Sequence, residues 1–140
     1  MLEDFIQELI RDYPGVRFRL GKKFTFRPPR TVIYEPFSDD ASYKLLLLHE
    51  LGHAVLEHLN YQLDIERIKM ERAAWEKARE LAKVYQVKFD EDLVEDRMDS
   101  YRDWLHQRSM CAVCGLTRWQ NTDGIYRCPV CDEILSRQSD

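Results

Sequence analysis

The string His49-Glu50-Leu51-Gly52-His53 lies inside an apolar run, with Leu45-Leu46-Leu47-Leu48 before it and Ala54-Val55-Leu56 after it. A run of this length and composition predicts a buried helix from near Ala41 to near His58. Asp39, Asp40 and Ser42 are candidates to cap its start. A helix that is apolar nearly all round belongs in a core, and a core does not accept imidazoles and carboxylates without partners. His49 and His53 are four residues apart. On a helix that spacing puts both rings on one face, one turn apart, where they can grip a single zinc ion. Glu50 flanks the same site and can take a proton from water held there. The pattern supplies two metal ligands and a general base, and it points to metal-assisted hydrolysis of a peptide bond. Gly52 costs about 1 kcal/mol in a helix interior, so close approach of another backbone explains it better than helix stability does.

A catalytic zinc takes a third protein ligand and keeps a fourth position open. The metzincin arrangement wants a His six residues after His53, but that position is Leu59 and His58 falls one residue short. The gluzincin arrangement takes a Glu from a second helix. The stretch from Asp64 to Gln86 is rich in Ala, Glu, Lys and Leu and reads as that helix. Ile68, Trp75, Ala78, Ala82 and Tyr85 fall on one stripe of it, and Glu71 lies on the same stripe. Glu66 groups instead with Met70, Ala73, Lys77 and Glu80 on a mostly polar face. A carboxylate on the apolar stripe is costly to bury unpaired, and zinc removes that cost. Glu71 is therefore the expected third ligand, with an ion pair to Arg67 or a partly exposed position as the plain alternative. Tyr61, Tyr85, Tyr101 and His106 are candidates to steady an oxyanion.

All four cysteines of the chain fall in two CxxC pairs, Cys111/Cys114 and Cys128/Cys131. Each pair has the spacing to give two thiolates to one tetrahedral zinc. Gly115, Asn121, Asp123 and Gly124 mark turns around two short strand-like pieces, Thr117 to Gln120 and Ile125 to Arg127. This is the layout of a zinc ribbon, and a segment so small draws much of its folding energy from the metal. Its charges balance: Arg108, Arg118, Arg127 and Arg137 stand against Asp123, Asp132, Glu133 and Asp140. That balance argues against simple electrostatic capture of nucleic acid.

The rest of the chain bounds the reading. A length of 140 residues suits one domain and a small appendage. The longest apolar run is too short to span a membrane, so no membrane partner is expected. The first residues, MLEDFIQELIRDY, carry acids and lack a basic start. They read as a short amphipathic helix with Leu2, Phe5, Ile6, Leu9 and Ile10 on one face, not as a secretory signal. The cytosol is the default expectation, and there four cysteines argue for metal before disulfides. Val16 to Leu20 alternates and reads as a strand. Phe24 to Arg27 is expected to pair with it through a turn at Gly21-Lys22-Lys23. Thr31 to Tyr34 reads as another strand, with Val32 to Glu35 expected to bind extended substrate by strand addition. Six basic residues and no acid lie between Arg17 and Arg30. They read first as a solvated sheet face, and second as a patch for an acidic protein or a nucleic acid. Phe89 to Leu105 is expected to hold a third main helix, with Leu93, Met98, Tyr101, Trp104 and Leu105 toward the core.

The peptide YKLLLLHELGHAVLEH followed by ERAAWEKA resembles the ImmA/IrrE-type metallo-endopeptidases, whose pattern is HELGH and then a helix carrying ExxAxxFA. Glu71, Ala74 and Ala78 match the second motif, and Lys77 stands where that family has an aromatic. The resemblance covers roughly residues 30 to 85. It implies a gluzincin fold with His49, His53 and Glu71 on zinc, Glu50 as base, and regulatory proteins as a common substrate class. A weaker resemblance is to SprT-type proteins, which also join HExxH to a C-terminal zinc ribbon. Their third ligand is a His on the following helix, and this chain has no His between His58 and His106. The expectation is an α+β, zincin-like metallopeptidase domain at residues 1–106 with a zinc ribbon at 107–140. It would hold one catalytic and one structural zinc and act on a protein or peptide substrate. The competing class is a non-catalytic zinc-binding adaptor that contacts protein or nucleic acid through the ribbon.

Overall fold

The computed structural model describes residues 2–131 and 134–135. The remaining residues, and with them Asp132, Glu133, Arg137 and Asp140 of the ribbon's charge balance, lie outside the described part. Among the described residues the chain is α+β, with four helices, two small sheets and four cysteines clustered near the C-terminus. It divides into two compact units, one of residues 1–60 and 70–91, the other of residues 61–69 and 92–140.

The first unit begins with helix α1 (Leu2–Asp12), whose Phe5 and Leu9 are buried. Strands β1 (Arg17–Leu20), β2 (Thr25–Arg27) and β3 (Thr31–Tyr34) follow. They form one sheet in the order β1-β3-β2, with β1 parallel and β2 antiparallel to β3. The expected β1–β2 pairing through Gly21-Lys22-Lys23 therefore does not form. The most apolar and β-branched strand, Thr31-Val32-Ile33-Tyr34, takes the centre, where Val32 is fully buried. The Arg-bearing strands stay at the edges, as solvated charges favour. This order also overturns the expectation that Val32 to Glu35 receives a substrate strand. β3 has a neighbour on each side, and among the described residues the free edges of this sheet belong to β1 and β2.

Helix α2 (Tyr43–Val55) packs against β2 and β3. Its Leu45, Leu47, Leu48 and Leu51 are fully buried, and each such side chain contributes about 1.5–3 kcal/mol. The helix starts later and ends sooner than the apolar run implied. Ser42 occupies the N-cap position without capping the helix through its side chain. Its amide and hydroxyl instead donate to the Asp40 carboxylate, at 2.8 and 2.6 Å. After Val55, Glu57 adopts φ +57° and the chain turns back, with the His58 amide donating to the His53 carbonyl at 3.1 Å. Helix α3 (Asp64–Tyr85) then carries Ala74, Trp75, Ala78, Leu81 and Ala82 to the core.

The second unit holds helix α4 (Glu91–Ser109) from Asp92 onward and the three-stranded antiparallel sheet of β4 (Trp119–Gln120), β5 (Tyr126–Arg127) and β6 (Ile134–Leu135). Val94 joins Met98 as buried residues of α4, while Leu93, Tyr101, Trp104 and Leu105 are half-buried. The cysteine-bearing segment groups with α4 and residues 61–69, and its side chains explain why. Asp64, with no exposed surface, accepts from Arg108 Nε and from the Tyr126 hydroxyl on the same Oδ2, each at 2.6 Å. The Asp64 amide donates to Gln120 Oε1 at 2.6 Å. The Arg118 guanidinium donates to the Arg108 carbonyl at 3.0 Å. No described helix is long and apolar enough to cross a membrane.

Candidate metal centre

α2 and α3 run past one another at Gly52. A Cβ there would lie 2.7 Å from the Ala74 carbonyl oxygen, so only glycine allows the two helices to approach this closely. That approach brings Glu71 up to the two imidazoles. Glu71 Oε2 is 2.9 Å from His49 Nε2 and 3.3 Å from His53 Nε2, and Oε1 is also 3.3 Å from His53 Nε2. The three side chains are 8%, 6% and 14% exposed for His49, His53 and Glu71, too little for water alone to satisfy them.

These residues fit a metal. Ligand atoms of a tetrahedron with bonds of 2.0–2.1 Å stand about 3.4 Å apart, close to the separations seen here. Two imidazoles and a carboxylate are also the donor set that catalytic zinc sites use. Without a metal the same atoms share protons. Burial works against charge on His49, but the carboxylates of Glu50 and Glu71 outweigh it and raise the His49 pKa above the ordinary histidine value. Burial likewise opposes the Glu71 carboxylate, and hydrogen bonds from His49 and His53 outweigh it and lower its pKa. A cation is favoured where the three groups converge, and a metal that enters displaces a proton.

Glu50 stands beside this trio and outside it. Its Oε1 is 3.3 Å from His49 Nδ1, and the side chain is 13% exposed. Both imidazoles are clamped by aromatic rings. Trp75 stacks on His49 at 3.9 Å between centroids and 8° between planes, and Phe26 of β2 stacks on His53 at 5.4 Å and 13°. His58 meets the other edge of His53, with the two Nδ1 atoms 2.9 Å apart. With a metal on His53 Nε2, Nδ1–H would be the donor and His58 Nδ1 the acceptor. Burial and the neighbouring His53 hold the His58 pKa below the usual value, which suits the neutral, accepting ring.

Sequence reasoning considered His58 only as a ligand out of register and gave Phe26 no role at the site. The signal for His58 was absent, because Glu57 at positive φ is not a residue type that marks a left-handed turn. Of the residues considered for oxyanion contact, Tyr85 donates its hydroxyl to Asp12 at 2.7 Å. Tyr61 and Tyr101 lie against Arg67 in the second unit, and His106 is exposed on α4.

The second cluster is Cys111, Cys114, Cys128 and Cys131, whose sulfurs gather closely enough to hold a metal ion. Cys114 Sγ and Cys128 Sγ are 3.6 Å apart, against about 3.8 Å for thiolates at 2.3 Å around a tetrahedral zinc. The Cys131 amide donates to Cys128 Sγ at 3.3 Å, and this bond is the main cause lowering the Cys128 thiol to about 7. Cys111 and Cys128 are buried and Cys114 is exposed. Comparison with family models, with curated proteins and with solved structures finds no match to this chain.

Proposed function

We propose that this protein is a zinc-dependent endopeptidase of the gluzincin type, akin to the ImmA/IrrE-type enzymes that its HELGH and ERAAWEKA segments resemble. The observation that carries the reading is the convergence of His49, His53 and Glu71 from two helices, with Glu50 beside them and not among them. His49, His53 and Glu71 would hold the catalytic zinc, and the four cysteines a structural one. When bound, the catalytic ion supplies Lewis acidity to water and to the scissile carbonyl. Glu50 takes the proton of the attacking water and hands it to the leaving amine. Trp75 and Phe26 keep the two imidazoles in place, and the buried Leu45, Leu47, Leu48 and Leu51 fix the helix that carries them. β2, whose Phe26 lies on His53, is the edge at which an extended substrate adds as a further strand.

The test is Glu50→Gln in the zinc-loaded protein, assayed with a library of fluorogenic peptides. The variant should keep its zinc and lose hydrolysis by at least about 100-fold. Turnover close to that of the unaltered protein would sink the reading. The adaptor reading is favoured instead if zinc-edge anomalous diffraction finds metal only at the four cysteines.

A further inference from the structure

The face of the β1-β3-β2 sheet that turns away from α2 is basic. Phe18, Val32 and Phe26 form one cross-strand row, and Phe26 meets His53. The rows on either side of it project to the opposite face. They are Arg19-Ile33-Thr25 and Arg17-Thr31-Arg27. The loop after β1 adds Lys22 and Lys23. It curls over Ile33 so tightly that a Cβ on Gly21 would lie 2.4 Å from Ile33 Cγ2. The result is a concavity of about 490 Å³ ringed by Arg19, Lys22, Lys23 and Arg27 around Thr25 and Ile33. Arg30 is paired with Glu57 at 2.9 Å. Arg17, Arg19, Lys22, Lys23 and Arg27 are exposed and make no ion pair among the described residues. This concentration of positive charge stands on a chain whose formal net charge is −4.

β2 belongs to both faces. Its Phe26 looks to the metal-binding trio, its Thr25 and Arg27 look to the basic face, and its outer edge is free among the described residues. A peptide added along that edge must alternate in the same way, one side chain toward the helix and the next toward the basic face. The outward side chains would stand beside Arg27 and the Lys23 end of the strand, at the range where opposite charges pair across strands.

We infer that the substrate is an extended peptide with acidic residues at alternate positions, recognised by Arg27 on the outer face of β2 and Lys23 in the loop before it, with Arg17, Arg19 and Lys22 strengthening the field. The inference rests on the peptidase reading above. A nucleic acid fits the same charges less well. The centre of the face is Thr25, Thr31 and Ile33, with no aromatic platform for bases, and the charge is continuous with the edge beside the metal centre.

The experiment measures binding, so it does not depend on turnover. Zinc-loaded full-length Glu50→Gln protein is titrated with three labelled peptides matched in length, carrying Glu, Gln or Lys at alternate positions. The Glu peptide should bind about tenfold more tightly than the Gln peptide, more so at low salt. In Lys23→Glu/Arg27→Glu, the Lys peptide should become the preferred one. Arg97→Glu, an exposed charge on α4, should leave the order unchanged. Equal binding of the three peptides, binding of none, or an order unmoved by the double reversal overturns the inference. So does an oligonucleotide that outcompetes the Glu peptide. The unaltered enzyme then separates the two readings. Cleavage of all three peptides alike would retain the peptidase and remove the acidic preference.

Discussion

Gly52 of α2 faces the Ala74 carbonyl of α3 so closely that a Cβ at position 52 would sit 2.7 Å from that oxygen. The same crossing brings Glu71, one turn before Trp75, to the imidazoles of His49 and His53. Gly52→Ala gains about 1 kcal/mol in helix propensity. It must also push α3 away, which costs about 1–3 kcal/mol in a packed core and moves Glu71 away from the two imidazoles. The expected outcome is lower stability in urea together with weaker zinc binding in chelator competition. A variant that is more stable and binds zinc normally would show that the close approach is not what requires glycine here.

Zinc binding should be proton-linked with a definite sign. In the metal-free protein the His49 pKa is raised by its two carboxylate neighbours. That contributes stability fully present below the unfolded value of about 6.5, lost as pH rises through the raised folded value. Zinc must displace the same proton, so its affinity grows as that proton becomes easier to remove. The gap in Tm between zinc-loaded and metal-free protein should therefore widen from about pH 6.5 to 8.5. Glu71→Gln removes the carboxylate proposed as a ligand and one source of the shift. It should weaken zinc binding by at least about 100-fold and flatten its pH dependence. Retention of full affinity in this variant would remove Glu71 from the ligand set.

His58 should matter for metal affinity without touching the metal. Its Nδ1 lies 2.9 Å from His53 Nδ1, and with a metal on His53 Nε2 it would be the acceptor that fixes the tautomer and tilt of that ring. Outer partners of this kind are worth about 10–100-fold in affinity. His58→Ala should show a loss in that range, and His58→Asn, which keeps an acceptor, should recover part of it. Nitrogen-15 spectra of the zinc-loaded protein should show His53 protonated at Nδ1. The opposite tautomer would exclude the role.

Asp64 is the charge on which the second unit turns. Its Oδ2 takes hydrogen bonds from both Arg108 and Tyr126, and its side chain has no exposed surface. Asp64→Ala leaves the Arg108 guanidinium, 15% exposed, without its carboxylate and should cost about 3–5 kcal/mol. Tyr126→Phe loses one neutral-to-charged hydrogen bond and should cost about 1.5–3 kcal/mol. Denaturant melts of the zinc-loaded protein followed by Trp fluorescence measure both. A melt of Asp64→Ala that matches the unaltered protein would show that this cluster does not hold the unit together.

What could be read from the sequence was local. The four-residue step from His49 to His53 and the stripe that holds Glu71 both follow from the helical period, and the two CxxC pairs announce their own cluster. The strand order could not be read in this way. Gly21-Lys22-Lys23 has the composition of a hairpin turn, and nothing local says that Thr31 to Tyr34 will insert between the strands it joins. Burial decides that, and Val32 supplies it. Asp64 escaped notice for a related reason. An acid in the first turn of a helix is ordinarily a favourable surface charge, and its partners Arg108, Gln120 and Tyr126 lie far along the chain.

The second unit draws residues 61–69 from one part of the chain and 92–140 from another, and α3 runs without a break from Asp64 to Tyr85. Neither unit is therefore a contiguous stretch of coding sequence. A truncation just before the first CxxC pair would strand Asp64 with its Gln120 and Tyr126 partners gone. A transplant that carried all of the second unit would have to cut the helix bearing Glu71. The His/Glu trio and the cysteine cluster therefore do not lie on separable contiguous segments: a cut that isolates all of the second unit passes through the helix that carries Glu71.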